Sequence, residues 1–281
     1  MGMEVHMRIG NREFDVKNRT YIMGILNVTP DSFSDGGSFC DVDSAVRHAG
    51  DMIEKGAHIL DIGGESTRPG HTQISEEEEI ARIVPIIKAI KEKFDVPVSV
   101  DTYKSKVAEA AILAGADLIN DIWGLKYDGT MAEVIARYDK PCCLMHNRRD
   151  TDYHDFMKDV QTDLQESVRL AKQAGISEDK IILDPGVGFA KTYEQNLEVI
   201  ARMGELKALG YPLLLGTSRK SVIGLTLELP VEERLEGTLV TTVMAVEQGC
   251  AFVRVHDVQE NARAIHMSEA IKKYAKPDCG K

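Results

Sequence analysis

No stretch of this chain approaches the roughly 18 consecutive apolar residues that a membrane-spanning helix needs, which excludes a helical membrane protein. Lysine and arginine are in deficit: 34 against 45 aspartates and glutamates leave a net charge of −11, so nonspecific binding to nucleic acid is excluded and any bound anion must be held by a local cluster. Cysteine is scarce and unpatterned. The five (Cys40, Cys142, Cys143, Cys250, Cys279) are odd in number and lack CxxC spacing. With no apolar signal segment at the amino terminus, the expectation is a reducing cytoplasm in which the cysteines pack as small hydrophobes. Low-complexity segments and Pro/Gly-rich linkers are also missing, so a second domain has nowhere to begin.

What is present is a rhythm. Gly56 is followed five residues later by Asp61, Gly115 by Asn120, and Gly249 by Arg254, each polar residue closing a short apolar run. Each unit reads as a helix stopped by a left-handed glycine, then a strand apolar on both faces with a polar side chain at its carboxyl end. Such units build an α/β fold, a single (β/α)8 TIM barrel, and 281 residues with 43% hydrophobic content suffice for one such domain over residues 1–281. Residues 1–20 are expected to add a short strand pair beneath it.

Eight strands are expected: 21–26 ending at Asn27, 58–62 carrying Asp61, 97–100 ending at Asp101, 117–119 ending at Asn120, 141–145 leading to His146, 180–183 ending at Asp184, 212–215 running into Gly216 to Ser221, and 251–253 ending at Arg254 with His256 beyond. Ser75 and Glu78 have capping-box spacing, and the acidic run Glu76 to Glu79 then sits at the positive end of a helix dipole as a structural feature. Barrel enzymes build their sites at the carboxyl ends of the strands. That mouth collects Asn27, Asp61, Asp101, Asn120, Asp184, Lys220, Arg254 and His256.

Asp101, Asn120 and Asp184 offer acceptors and an amide fork suited to a flat heterocycle rich in N–H donors. Lys220, Arg254 and His256, with Arg68, form a cationic side suited to phosphate or diphosphate. Each Asp or Asn taken singly is equally consistent with capping the next helix. The long polar loops Asn27 to Gly37 and Gly63 to Gly70 have the length and composition of functional lids.

At these residues the sequence resembles the dihydropteroate synthase family. The resemblance rests on Asn27-Val28-Thr29-Pro30-Asp31-Ser32-Phe33-Ser34-Asp35-Gly36-Gly37, Asp61-Ile62-Gly63-Gly64-Glu65-Ser66-Thr67-Arg68-Pro69-Gly70, Ser99-Val100-Asp101-Thr102, Asn120-Asp121, Asp184-Pro185-Gly186-Val187-Gly188-Phe189, Ser218-Arg219-Lys220-Ser221 and Arg254-Val255-His256. It implies condensation of 6-hydroxymethyl-7,8-dihydropterin diphosphate with 4-aminobenzoate, with release of diphosphate. It further implies Asp101, Asn120, Asp184 and Lys220 as pterin binders, with Ile122 and Met145 as apolar walls and Arg254 on the ring. Asn27 is implied as a Mg²⁺ ligand, and Arg68, Arg254 and His256 as diphosphate contacts. Phe33, Thr67, Pro69, Phe189, Lys220 and Ser221 would frame the aminobenzoate. Asp101, Lys220, Arg68 and Asp35 would serve the chemistry, the aspartates steadying a pterin cation.

Other features are expected to be structural. Cys142 and Cys143 lie within a strand and pack; His71 is given no role; His146 either faces the pterin or bonds within its own loop. The 232–248 helix, with Leu235, Leu239, Val243, Met244 and Val246, is expected to pack on the barrel and to leave a broad apolar face for a homodimer. Two rival functions share the Asp/Asn wall: a methyltetrahydrofolate:corrinoid methyltransferase, which needs neither Asn27 with Mg²⁺ nor the Thr67 to Gly70 and Ser218 to Ser221 loops, and a noncatalytic pterin-binding paralogue.

Overall fold

Short strands buried at every position need both faces covered, and the chain covers them with a barrel inside a ring of helices. The computed structural model describes residues 6–28, 42–66 and 73–275. It begins with an antiparallel pair, β1 (His6–Ile9) and β2 (Arg12–Asp15), followed by β3 (Tyr21–Asn27) and α1 (Val42–Glu54). Then come β4 (Ile59–Gly63), α2 (Glu76–Lys93), β5 (Val98–Asp101), α3 (Ser105–Ala114), β6 (Leu118–Asp121), α4 (Met131–Arg137), β7 (Cys142–Met145) and α5 (Phe156–Gln173). The chain closes with β8 (Ile181–Asp184), α6 (Tyr193–Arg202), β9 (Leu214–Leu215), α7 (Ser221–Leu227), α8 (Leu235–Gln248), β10 (Phe252–Val255) and α9 (Val258–Lys272).

The eight parallel strands run in the order β8-β7-β6-β5-β4-β3-β10-β9, and β8 meets β9 through the Leu183–Leu213 bridge, where Leu183 N donates to Pro212 O at 2.9 Å. The ring is therefore nearly closed. Gly56, Gly115 and Gly249 all take the left-handed conformation after their helices, at φ of 107°, 116° and 77°, as their spacing predicts.

Two apolar layers divide the strand residues by parity. Ile22, Leu26, Leu60, Ile62, Val98, Val100 and Ile119 face outward against the helices. Met23, Ile59, Leu118, Cys143, Ile182, Leu214 and Phe252 face inward, and Met7, Ile9, Phe14 and Val16 from the amino-terminal pair plug the barrel below them. Phe14 stacks edge-on against Tyr21 with ring centroids 4.9 Å apart. Two residues beyond each inward apolar residue the side chain again faces inward, now at the open end. Ile59 is thus followed by Asp61, Leu118 by Asn120, Cys143 by Met145, Ile182 by Asp184, and Phe252 by Arg254. The strand alternation alone raises those five side chains into one mouth.

One expectation needs correction. In α8 the buried stripe is Thr238, Thr241, Thr242, Ala245 and Val246, whereas Val243 is exposed and Leu235, Leu239 and Met244 are only half-buried. The threonine hydroxyls make this burial possible: Thr241 Oγ1 bonds Thr217 Oγ1 at 2.7 Å, and Thr242 Oγ1 donates to Asn261 Oδ1 at 2.7 Å. The acidic run of α2 fills the first turn of its helix as a structural feature, as expected. Ser75 caps Glu78 N at 3.1 Å as expected, but Glu79 is buried against Lys104 at 2.8 Å. Cys142, Cys143 and Cys250 are buried thiols, and burial pushes Cys250 up to about 12; Cys40 and Cys279 lie outside the described residues. No described helix is long and apolar enough to cross a membrane.

Candidate active site at the carboxyl mouth of the barrel

Strand register sets the mouth residues side by side. Asp101 pairs with Asn120 across β5 and β6, Met145 with Asp184 across β7 and β8, and Asn27 with Gly63 across β3 and β4. Arg254 reaches over the opening to two carboxylates, Nε 2.5 Å from Asp61 Oδ2 and Nη2 2.7 Å from Asp101 Oδ2. Asn120 Nδ2 donates to the same Asp61 oxygen at 3.2 Å. Burial disfavours the guanidinium charge, but Asp61 and Asp101 outweigh it and keep Arg254 protonated. Burial raises the Asp101 carboxyl above its ordinary range, Arg254 pulling it back down and Asp61 adding repulsion. The second oxygens of both carboxylates, Asp61 Oδ1 and Asp101 Oδ1, are buried and have no partner among the described residues, as has Ser99 Oγ. Orphaned acceptors of this kind cost about 1–3 kcal/mol each, so they mark where a donor belongs.

The other half of the mouth is the loop after β8. Asp184 Oδ1 accepts from Gly186 N at 2.7 Å, and burial raises its carboxyl while Lys220 draws it down. Lys220 arrives from the start of α7, donates to Val187 O and lies 4.8 Å from the Phe189 ring centre. Burial pulls its ammonium down to about 8. Ile122 and Met145 form one apolar cluster with Tyr103, and Phe189 and Trp123 pack against it, so three predicted wall residues meet. Ser221 is exposed at the first turn of α7. Ser218 Oγ lies 3.0 Å from His256 Nδ1 and accepts from His256 N at 3.1 Å, which ties β10 to the loop after β9. Arg219, next to it, is held by Asp257, Nε to Oδ2 at 3.0 Å.

The structure thus brings together Asn27, Asp101, Asn120, Ile122, Met145, Asp184, Phe189, Lys220, Ser221, Arg254 and His256. Phe33, Asp35, Thr67, Arg68, Pro69 and His71 lie outside the described residues.

Sequence reasoning missed two supporting networks. Glu65 accepts from Tyr103 Oη at 2.6 Å and from Lys104 Nζ at 2.6 Å, and Lys104 also donates to Ile74 O at 2.8 Å. This buried knot grips both ends of the 66–73 segment; the signal was Glu65 inside the second-loop motif. The second joins His146, Asp163 and Lys191: the His146 ring bonds neither within its own loop nor into the mouth but across the fold, its Nε2 2.9 Å from Asp163 Oδ2 on α5 and its Nδ1 2.8 Å from Lys191 Nζ. Nothing in sequence spacing connects those three.

Residues 23–256 match the pterin binding enzyme family. The chain is 64% identical over 94% of its length to the dihydropteroate synthase of Clostridium beijerinckii, covering 99% of that protein, and 54% identical to that of Bacillus subtilis over 91% of this chain and 90% of that one. Among solved structures it is similar to the Clostridium difficile dihydropteroate synthase determined in the presence of pteroic acid, at 53% identity and a TM-score of 0.90 over 94% of this chain and all of that one. A Xanthomonas albilineans dihydropteroate synthase with 4-aminobenzoic acid matches at 39% identity and a TM-score of 0.91, covering 97% and 99% of the two chains.

Proposed function

The chain belongs to the pterin binding enzyme family, among the dihydropteroate synthases, and we propose that the mouth just described performs that condensation with the residues named there. The reaction joins 6-hydroxymethyl-7,8-dihydropterin diphosphate to 4-aminobenzoate and releases diphosphate. What supports the assignment of roles most directly is Asp101 Oδ1, a buried, unpartnered acceptor on the same ring of residues as Asn120 and Asp184. Together they present acceptors and one amide fork to a heterocycle edge rich in N–H groups, with Ile122 and Met145 as its apolar walls.

The methylene–oxygen bond breaks with its electron pair leaving on the diphosphate, and the positive charge left behind is delocalised into the pterin ring. Asp101 faces that charge, with Asp35 of the first loop as a second carboxylate. Arg254, held over the opening by Asp61 and Asp101, lies on the pterin ring and meets the diphosphate alongside His256 and Arg68. The amine nitrogen of aminobenzoate, set against Phe189, Lys220 and Ser221, with Phe33, Thr67 and Pro69 as its further contacts, attacks the methylene carbon and loses a proton. Exclusion of water from the mouth would let the amine reach the cation first.

A metal fits beside Asn27. Its Oδ1 lies 3.7 Å from where a Cβ on Gly63 would stand, and an Asp101 carboxylate oxygen lies 3.9 Å from the same point, so two oxygen donors border one small space. No group of three or more His, Cys, Asp or Glu among the described residues could hold a metal unaided. One protein oxygen completed by substrate oxygens and water suits Mg²⁺, which keeps several waters and binds readily to phosphates. When bound, Mg²⁺ would supply charge stabilisation for the departing diphosphate.

We infer further that the protein works as a homodimer, because Leu225 and Leu227 of α7 and Val240 and Val243 of the neighbouring α8 are exposed, with Leu225 63% and Val240 60% accessible, and in the cytoplasm, because the described cysteines are free thiols. Sulfonamides, which occupy the related Yersinia pestis enzyme, would enter the aminobenzoate slot here. The roles are tested by diphosphate release with each substrate omitted in turn. Release that requires the pterin substrate, aminobenzoate and Mg²⁺ supports them; release from pterin diphosphate alone at the full rate contradicts the coupled scheme.

A further inference from the structure

Lys191 touches neither proposed substrate position, yet it holds the loop that carries Asp184 and Phe189. Its ammonium has three N–H bonds and meets three acceptors: His146 Nδ1 at 2.8 Å, Gly186 O at 3.0 Å and Phe189 O at 3.1 Å. His146 is fully buried, and burial pulls its imidazole down to about 4, so it is neutral at pH 7. Its Nε2 faces the Asp163 carboxylate, which only accepts, so the ring proton sits on Nε2 and Nδ1 offers its lone pair to Lys191. Asp163 in turn accepts from Arg148 Nε at 2.5 Å. A continuous polar run therefore joins α5 to the loop after β8.

That loop has little other freedom. Gly186 sits at φ +70°, and a Cβ there would lie 2.0 Å from His146 O. Asn196 of α6 accepts from Gly188 N at 2.6 Å and donates to Thr192 O at 2.7 Å. Lys191 takes the carbonyls of Gly186 and Phe189, and Lys220 takes Val187 between them. Two lysines thus grip one short loop, the first seated on a buried histidine and the second placed at the mouth. Burial pulls the Lys191 ammonium down to about 7 against the attraction of Asp184, so near neutral pH the group is only partly charged, and it is the charged form that fills all three contacts.

Resting on the pterin and aminobenzoate roles given above, we propose that Lys191 is a positioning residue for the condensation: seated on neutral His146, it fixes the Gly186–Phe189 loop where Asp184 meets the pterin and Phe189 faces the amine, so that Lys220 can exchange Val187 for substrate without the loop collapsing. The test compares wild type, Lys191→Met, His146→Leu and His146→Gln. Each is followed by calorimetric titration of pterin diphosphate, by KM and kcat for both substrates, and by urea unfolding. In Lys191→Met and His146→Leu the pterin affinity of folded protein should drop by about tenfold or more, in line with losing a charged hydrogen bond, with KM rising for both substrates. His146→Gln keeps an amide acceptor for Lys191 and a donor for Asp163, and should stay within about threefold of wild type. A lowered unfolding midpoint with unchanged pterin affinity and KM would make the network purely structural and overturn the proposal. If Lys191→Met does not fold, equal affinity in the two His146 variants overturns it. Wild-type turnover is measured in parallel: its absence would refute the assigned reaction, while the affinity comparison would still decide the loop.

Discussion

Arg254 Nε lies 2.5 Å from Asp61 Oδ2, and that Asp61 is wholly shut off from solvent. A guanidinium so placed is a lid on two carboxylates before substrate arrives, and the ring of charge it completes is itself part of the fold. Breaking a buried pair outright costs about 3–5 kcal/mol, but here Asp101 still compensates the guanidinium when Asp61 is removed and is relieved of its repulsion. Asp61→Ala should therefore lower unfolding stability by less than that, about 1–3 kcal/mol in urea titration, through the hydrogen bonds of Arg254 and Asn120 left unmade. A loss under about 1 kcal/mol would show that the pairing contributes little to the fold.

Asp184→Ala should leave circular dichroism native and cut pterin affinity by about 2–4 kcal/mol, roughly thirty- to a thousandfold, because it strands charge-assisted donors in a desolvated pocket. Calorimetric titration decides this. Wild-type affinity in the variant would remove Asp184 from the site.

The pH dependence has two limbs. Asp184 must be ionised to accept from the pterin, and burial has raised its carboxyl, so kcat/KM should fall as the solution is acidified through that raised value. Lys220 must be charged and titrates at about 8, so kcat/KM should fall again above that pH. Lys220→Met should lose the alkaline limb along with most activity. For stability the sign is opposite: between about 8 and 10.5 the unfolded chain keeps a Lys220 proton that the folded chain has released, so this group's contribution to unfolding free energy rises with pH. An alkaline limb of wild-type shape in Lys220→Met would assign it to another group.

Much of this mouth was legible because strand alternation is simple. Given the glycine stops and the apolar runs, Asp61, Asn120, Asp184 and Arg254 had to stand one layer above Ile59, Leu118, Ile182 and Phe252. What spacing cannot convey is who pairs with whom once the layer forms. Arg254 could as well have met Asp184 as Asp61, and only the closed ring decides. His146, Asp163 and Lys191 were illegible for the same reason, being 17 and 45 residues apart along the chain. The α8 stripe is not legible from apolarity, because threonines whose hydroxyls find partners bury as well as valine.

Diphosphate and aminobenzoate should bind cooperatively, since Arg68, proposed for the anion, lies in sequence between Thr67 and Pro69, proposed for the aminobenzoate. By linkage each ligand should tighten the other by the same factor. Titration of aminobenzoate with and without diphosphate, Mg²⁺ and a pterin fragment measures that factor, and Arg68→Ala should abolish it. Equal aminobenzoate affinity in both conditions would mean a preformed slot.

The most direct measurement is chromatographic detection of dihydropteroate from purified protein, 6-hydroxymethyl-7,8-dihydropterin diphosphate, 4-aminobenzoate and Mg²⁺, run beside Asp184→Ala and a chelated control. Product should accumulate in step with diphosphate, vanish with the chelator, and be all but lost in the variant; folded wild-type protein that makes none at saturating substrates would contradict the account.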